Sequence, residues 1–146
     1  ISIVDQIYIK AWRIRQIQET GLQKIGDSIE SEFVGIVNYG IIALIQNAMP
    51  ADAPIDLSYE EAKQWYEDKA QDIENLMQQK NHDYGEAWRE LSQQSFVDLI
   101  LVKLLRIKQI LANDGQTIVS EGADANFHDI VNYAIFALIK IDEGKA

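Results

Sequence analysis

The sequence predicts an all-α protein, a helical bundle that is built from two tandem copies of a helical hairpin. Apolar residues recur at three- and four-residue steps through most of the chain, which is the period of amphipathic helices. No segment shows the strict alternation of apolar and polar residues that is typical of a half-buried strand. A chain of 146 residues is long enough for one domain with one core.

Two blocks of sequence occur twice, in the same order. SIVDQIYIKAWRIRQI from Ser2 and SFVDLILVKLLRIKQI from Ser95 share nine of sixteen residues, at an offset of 95 − 2 = 93. FVGIVNYGIIALI from Phe33 and FHDIVNYAIFALI from Phe127 share nine of thirteen, at an offset of 127 − 33 = 94. This period is too long for a solenoid unit, so we interpret it as a duplicated helical hairpin. We place the two copies at residues 2–49 and 80–141, joined by a linker at 50–58 and a helix at 59–79.

The first helix of each copy is predicted to be amphipathic. A Ser-x-x-Asp pair at Ser2, and another at Ser95, has the spacing of a capping pair that opens a helix. We expect these helices to end near Gly21 and near the NDG sequence at Asn113, since both are suitable helix stops. The predicted apolar stripes are Ile7, Ile14 and Ile17 in the first copy and Ile100, Leu104, Ile107 and Leu111 in the second.

The second helix of each copy is almost entirely apolar, over roughly Ser28–Ala48 and Asp124–Ile141. Such helices belong in the centre of a bundle. Each is too short, and too interrupted by polar residues, to be predicted as a membrane span.

The segment between the copies has two parts. MPADAPIDLS, from Met49, holds both prolines and is typical of a linker. Ser58-x-x-Glu61 then forms a capping box that opens a charged helix over Tyr59–Gln79. A short turn is expected around Glu86–Ser92.

The charge balance excludes one class of partner. Lys plus Arg is 13 and Asp plus Glu is 23, so the net charge is −10. Phosphate backbones require a basic footprint, so we expect no general nucleic-acid binding and instead a small ligand or a cation. The absence of cysteine permits a reducing compartment. Since no signal peptide or membrane-length apolar run is visible, we expect a cytoplasmic protein without a membrane partner.

A Lys-x-x-Arg pair occurs once in each copy, as Lys10 and Arg13 and as Lys103 and Arg106. Three-residue spacing places both cations on one helix face. Lysine and arginine both suit phosphate, so one interpretation is a phosphate clamp that is used twice. The alternative is a pair of surface cations whose aliphatic stems cover apolar residues.

Asp129 and Asn132 lie three residues apart on an otherwise apolar helix. A carboxylate in such a place needs a cation, a metal or a hydrogen-bond donor. Asp129 is therefore a candidate ligand or metal contact that Asn132 orients, and the alternative is a buried polar network that fixes helix register. The first copy keeps Asn38 but has Gly35 where Asp129 would be, so Asp129 is the specialised position.

Two acidic pairs also correspond, Asp27-x-x-Glu30 and Glu121-x-x-Asp124. Carboxylates one helical turn apart can share Mg²⁺, which prefers oxygen ligands. They also stand where helices begin, and there the helix dipole favours acids. Glu32 is a further acidic candidate, without a counterpart in the second copy.

The segment KNHDYGEAWREL, a predicted loop that starts at Lys80, concentrates reactive side chains before the second copy. Lys80 can contact phosphate, while Tyr84 and Trp88 can stack on a base. Asp83 can accept a hydrogen bond from a base or sugar, and Gly85 supplies backbone freedom. The alternative is an aromatic anchor that pins the loop onto the bundle. The first copy lacks such a segment, and we expect one upstream in the full-length protein.

KNHDYGEAW, DLILVKLLRIKQI and SEGADANFHDIVNYAIFALI together resemble the nucleotide-modification-associated domain of the first type. The family's four motifs are a Lys/Asp-Tyr-Gly segment, a Lys-x-x-Arg helix, an acidic helix start and an Asp-x-x-Asn-Tyr helix. Residues 80–139 carry all four in order, and residues 2–45 carry a degenerate second copy. That family is thought to be related to the all-α nucleoside triphosphate pyrophosphohydrolases, the MazG and dimeric dUTPase group. Those enzymes build their bundle from two chains. The resemblance thus implies an internal pseudo-dimer in this chain, with a homodimer as a further expectation.

The resemblance implies a bundle around a nucleotide and Mg²⁺, in which carboxylates of two helices hold the metal and water attacks the triphosphate. The first Glu-x-x-Glu pair of that group is replaced here by Lys103-x-x-Arg106, which can bind phosphate but not a metal. We therefore carry two functions forward: a Mg²⁺-dependent pyrophosphohydrolase that releases pyrophosphate, and a non-catalytic nucleotide-binding or interaction module. The predicted catalytic residues are Lys103, Arg106, Asp129 and Asn132; the nucleotide-binding residues are Lys80, Asp83, Tyr84, Gly85, Trp88, Lys10 and Arg13; and the metal ligands are Glu121, Asp124 and Asp129.

Overall fold

The computed structural model describes residues 2–21, 28–50, 52, 56–113 and 122–144, and these ranges form an all-α helical bundle without a strand. The predicted fold class is confirmed. The helices are α1 (Ser2–Thr20), α2 (Ile29–Ala48), α3 (Tyr59–Tyr84), α4 (Gln93–Ala112) and α5 (Ala123–Asp142), with a short 3-10 helix at Ala87–Glu90.

The ends of the helices follow local capping chemistry. Ser58 caps α3 as predicted, because its hydroxyl oxygen accepts the Glu61 N–H at 3.1 Å. The cap predicted at Ser95 is wrong. The N-cap of α4 is Ser92, whose hydroxyl accepts the Ser95 N–H, so Ser95 lies within the first turn. The linker helix α3 also continues past Gln79 to Tyr84, which converts the first part of the predicted loop into helix.

The two hairpins pack face to face, and the apolar helices α2 and α5 form the most extensive contact at the centre. Gly40 of α2 lies against Val131 of α5. A Cβ atom at position 40 would be 2.5 Å from Val131 Cγ2, so this close approach requires glycine. The predicted stripes mostly face this core, although Leu111 is exposed. The most deeply buried large side chains are Ile7, Ile14, Phe33, Ile36, Leu44, Phe96, Ile100, Leu104, Ile107 and Ile130.

Two ion pairs join α1 to α4 in a reciprocal way. Arg15 pairs with Asp98, and Lys108 Nζ lies 3.8 Å from an oxygen of Asp5. The repeat offset converts one pair into the other, since 15 + 93 = 108 and 5 + 93 = 98. A two-fold relation between the hairpins would produce this exchange.

Helix α3 crosses both halves of the bundle. Near its start, the Tyr66 hydroxyl donates to Asn38 Oδ1 of α2 at 2.9 Å. Near its end, Lys80 reaches Asp129 of α5. Only Ile73 of α3 is fully buried, so this helix is a cover over the central pair and not a member of the core.

Of the helices that the structure describes, α2 alone is long and apolar enough to cross a membrane, by length and composition only. A buried core helix passes the same test, and α2 is the helix that the other hairpin covers.

Candidate functional site

A cavity of about 340 Å³ lies between the end of α3, the 3-10 helix and the middle of α5. Its wall is mainly apolar and aromatic, with a few polar groups, as small-molecule sites usually are. Six residues that the sequence analysis selected line this cavity: Lys80, Tyr84, Gly85, Trp88, Asp129 and Asn132. The sequence motifs before and within the second copy therefore meet at one place.

The turn that builds one wall depends on Gly85. Helix α3 ends there with φ +63°, a left-handed backbone conformation that glycine adopts without steric cost. The 3-10 helix that follows is fixed to the C-terminal end of α5. Lys140 Nζ donates to the backbone oxygens of Arg89 and Leu91, and Arg89 pairs with Glu143 at 2.8 Å. These bonds hold the Trp88 side chain in place.

Trp88 is a buried wall of the cavity, with only 9% of its surface exposed. Phe136 stacks on it with ring centroids 4.4 Å apart and planes 5° from parallel. The Arg89 guanidinium also lies over the ring system, 4.5 Å from its centroid. Because side chains of the protein already stack on this indole, it offers the cavity an edge and not the free face that base stacking requires. Its Nε1 atom is buried and has no hydrogen-bond partner among the described residues.

Asn132 presents a second buried polar atom without a partner. The residue is 4% exposed, and its Oδ1 accepts no hydrogen bond from any described group. Asn38, at the equivalent position in the first copy, accepts the Tyr66 hydroxyl with the same oxygen. Buried polar atoms are nearly always paired in folded proteins. Two residues of the cavity wall therefore have a buried polar atom without a partner among the described residues, an acceptor on Asn132 and a donor on Trp88.

The cations of the site converge on Asp129. Lys80 Nζ of α3 lies 3.0 Å from Asp129 Oδ1, and Lys103 Nζ of α4 lies 3.1 Å from Asp129 Oδ2. One carboxylate thereby connects three helices. This arrangement suits an anion-binding site, because ammonium groups bind phosphate as point charges.

Two tyrosines complete the site. Tyr84 lies at the rim with 76% of its surface exposed, so its ring is available for stacking. Tyr133 lies deeper. Burial, and secondarily the Asp129 carboxylate, raises the pKa of Tyr133, so its phenol stays protonated at neutral pH.

Several predicted residues lie elsewhere. Asp83 faces a shallow hollow on the outer side of α3, with neighbours such as Gln79 and His82. Lys10 and Arg13 are in the first copy, where both pair with the buried Glu32, at 3.5 and 3.1 Å. They do not line the cavity between α3 and α5.

Arg106 is not among the residues that line the cavity. It makes no hydrogen bond or ion pair with any residue in the described ranges. One turn earlier on the same helix, Lys103 reaches Asp129 at the edge of the site. Of the predicted phosphate clamp in the second copy, only the lysine therefore contacts a residue of the cavity wall.

The predicted metal ligands are not assembled by the described residues. Asp124 accepts a hydrogen bond from Asn47 at the end of α2, whereas Asp129 is held by two lysines. Glu121, like Asp27, lies outside the described residues. Within the described ranges no three His, Cys, Asp or Glu side chains are grouped so as to hold a metal ion. The two described members of the predicted set, Asp124 and Asp129, do not by themselves form a Mg²⁺ site.

Sequence reasoning missed the apolar part of the wall. Tyr133 and Phe136 follow Asp129 and Asn132 on one helical face, since steps of three and four residues share a face. That spacing could have identified both residues. Nothing comparable was available for the remaining wall residues, which α3 and the turn after it supply: Met77, Asn81, Ala87 and Leu91.

A family profile described as Nucleotide modification associated domain 1 matches residues 1–46 and 80–141. The chain belongs to this family. The two matched ranges overlap the two sequence copies, and the second includes every cavity residue except Met77. No curated protein and no solved structure gives a significant match to the chain.

Proposed function

We propose that the cavity between α3 and α5 binds a nucleotide, and that the protein is a nucleotide-binding module of the Nucleotide modification associated domain 1 family. The observation that carries this proposal is that two residues of one cavity wall, Asn132 and Trp88, each have a buried polar side-chain atom without a partner among the described residues. A ligand with a donor and an acceptor on one planar edge can supply both missing partners once the two side chains turn toward it, and every nucleobase has such an edge.

The volume and lining of the cavity fit a ligand of that kind. About 340 Å³ lies within the range of small-molecule sites. Apolar and aromatic side chains form most of the wall, and Tyr84 at the rim can stack on a ring. A nucleobase therefore finds both flat apolar surface and hydrogen-bonding groups here.

The basic side of the cavity fits the rest of a nucleotide. Lys80 lines the cavity and Lys103 lies behind Asp129, so two ammonium groups are close to the place where a phosphate would follow the base. This local positive charge contrasts with the net charge of −10 for the chain. A cluster of cations on an acidic protein favours a small anionic ligand over a nucleic acid.

Between the two functions that the sequence left open, we favour binding without hydrolysis. A pyrophosphohydrolase related to the MazG group requires a carboxylate cluster for Mg²⁺, and the described residues do not form one. Asp129, the best candidate ligand, is already neutralised by lysines. The internal pseudo-dimer stays part of the proposal, and the reciprocal ion pairs between α1 and α4 support it.

The test is a calorimetric binding panel of the ribo- and deoxyribonucleoside triphosphates, with pyrophosphate release followed in parallel with Mg²⁺ present. We expect at least one nucleotide to bind, with no pyrophosphate released. Asn132→Leu should weaken that binding by about tenfold or more, because the ligand loses an acceptor and leaves its own donor unpaired.

Asn38→Leu is the matched control, since position 38 is the equivalent site in the first copy and its oxygen is already paired. We expect this variant to keep the affinity of the wild type. Equal effects of the two substitutions, or a panel in which nothing binds, would contradict the proposal. Pyrophosphate release that Asn132→Leu abolishes would replace it with the enzymatic alternative.

A further inference from the structure

In each copy a carboxylate of the second helix pairs with the lysine of the Lys-x-x-Arg pair, but the two carboxylates stand at different positions. In the first copy the carboxylate is Glu32. Its side chain is 8% exposed and lies 3.5 Å from Lys10 and 3.1 Å from Arg13. The repeat offset places Asn126 at the corresponding position of the second copy, since 32 + 94 = 126.

In the second copy the carboxylate has moved by one helical turn, to Asp129. The corresponding residue of the first copy is Gly35, since 35 + 94 = 129. A Cβ atom at position 35 would be 2.7 Å from Lys10 Cε, so a side chain there would require the Lys10 stem to move. In the first copy, the stem of Lys10 therefore occupies the space that corresponds to the Asp129 side chain in the second copy.

The shift changes what the carboxylate faces. Glu32 is not among the residues that line the α3–α5 cavity, whereas Asp129 is part of the cavity wall. Asp129 is also more accessible, with 21% of its side chain exposed, and its two lysines come from two different helices. An anion that enters the cavity meets Lys80 and Asp129 in the wall, and it can reach Lys103, which contacts the second oxygen of Asp129, only in place of that carboxylate.

We infer that Asp129 is an internal counter-ion that a phosphate group of the ligand replaces on Lys80 and Lys103. The inference rests on the proposed function, because it concerns ligand choice at the same cavity. Carboxylate and phosphate oxygens both accept hydrogen bonds from ammonium groups, and a phosphate carries more charge than a carboxylate. A ligand with phosphate displaces Asp129, and a neutral ligand does not. Asp129 therefore lowers the affinity of the cavity for phosphate-bearing ligands and leaves its affinity for neutral ligands unchanged.

Loss of the Asp129 charge should raise nucleotide affinity if Asp129 is a counter-ion, whereas it should lower that affinity if Asp129 is a metal ligand. Asp129→Asn keeps the size of the side chain and removes the charge that competes with phosphate. We expect the variant to bind the best nucleotide of the panel about tenfold more tightly than the wild type, with EDTA present so that no divalent metal contributes. Inorganic tripolyphosphate should gain affinity in the same direction. The corresponding nucleoside, which has no phosphate, should bind both proteins equally.

Glu32→Gln is the matched control, since it removes the other carboxylate from a Lys-x-x-Arg pair outside the cavity. We expect it to leave all three affinities unchanged. Asp129→Ser provides a second variant in case the asparagine form does not fold, and it should shift nucleotide affinity in the same direction. Circular dichroism confirms that each variant is folded before its affinity is measured.

The outcomes separate this inference from the proposed function. Weaker or unchanged nucleotide binding by Asp129→Asn, with clear binding by the wild type, would overturn the counter-ion role and leave the nucleotide site standing. Weaker binding only when Mg²⁺ replaces EDTA would assign Asp129 to a metal instead. If neither nucleotide nor nucleoside binds any variant, the proposed function fails, and the inference fails with it.

Discussion

Asn132 and Asn38 occupy the same position in the two copies, but only Asn38 has a partner for its side-chain oxygen. An unpaired buried polar atom costs about 1–3 kcal/mol of folding free energy. The unpaired atom, Asn132 Oδ1, lies in the copy that contains the cavity, so that copy carries this loss of folding free energy. Under the proposed function, Asn132 serves the binding of a ligand and not the stability of the unliganded fold.

The stability of two variants tests that explanation. Asn132→Leu should raise the free energy of unfolding of the unliganded protein by about 1 kcal/mol, because an orphaned oxygen is replaced by apolar surface of similar size. Asn38→Leu should lower it by about 0.5–1 kcal/mol, because the Tyr66 hydroxyl loses its acceptor. Urea denaturation measures both. A loss of stability in Asn132→Leu would show that Asn132 serves the fold.

Residue roles were predictable where a single helix carries the pattern. The three-residue step from Asp129 to Asn132 on an apolar helix indicated that both face something semi-buried, and both line the cavity. The stacking role of Trp88 was not predictable in this way. Its partner Phe136 lies 48 residues away, by 136 − 88, so the local sequence of the turn contains no sign that the ring is already covered. The pairing of Lys10 and Arg13 with Glu32 was hidden for the same reason.

At the level of elements, the contact between α2 and α5 depends on one glycine. Alanine at a helix interior normally adds up to about 1 kcal/mol of stability over glycine. At position 40 we expect the reverse, a loss of about 1–3 kcal/mol, because the added methyl group overlaps the stiff, fully buried Val131 side chain. Chemical denaturation of Gly40→Ala shows directly whether the substitution lowers or raises the free energy of unfolding.

The double variant Gly40→Ala/Val131→Ala is the control for that prediction. Removal of the Val131 methyl groups makes room for the new one, so the double variant should be more stable than the sum of the two single effects allows. Strict additivity, or a stabilising effect of Gly40→Ala alone, would contradict the close approach of α2 and α5.

Element boundaries were predictable where a cap or an apolar stripe marks them. The cap residue Ser58 marks the start of α3, and Gly21 marks the end of α1. The end of α3 was missed because its last turns are mostly polar and exposed, so no apolar stripe continues to Tyr84. The first left-handed residue after α3 is Gly85, and it marks the actual stop. The start of α4 was misplaced because Ser92 and Ser95 both satisfy the capping pattern, and only the earlier serine acts as the cap.

For the whole molecule, the repeat explains the bundle, and α3 explains why its two halves differ. The copies form two hairpins with reciprocal ion pairs. The first half of α3 lies on α2 and supplies Tyr66 to Asn38, whereas the second half lies on α5 and leaves Asn132 unpaired beside a cavity. A single helix that crosses both hairpins in one direction cannot treat them equally. In the first copy a Tyr66–Asn38 hydrogen bond covers this position, and in the second copy the corresponding position lines a cavity.

The sequence predicted the duplication but not this asymmetry. Identity between the copies fixes which helices correspond, yet the path of a polar connecting helix depends on contacts between distant segments, such as Tyr66 with Asn38 and Lys80 with Asp129. Neither contact has a signature within its own stretch of sequence.

The central claim is that a nucleotide occupies the cavity beside Trp88, and the indole N–H signals of the protein test it most directly. The chain has three tryptophans, Trp12, Trp65 and Trp88, and only Trp88 lines the cavity. In a ¹⁵N–¹H spectrum titrated with the nucleotide that binds best, we expect the Trp88 Nε1–H signal to shift while the other two remain fixed. An unchanged Trp88 signal under conditions in which calorimetry shows binding would place the ligand elsewhere and contradict the account.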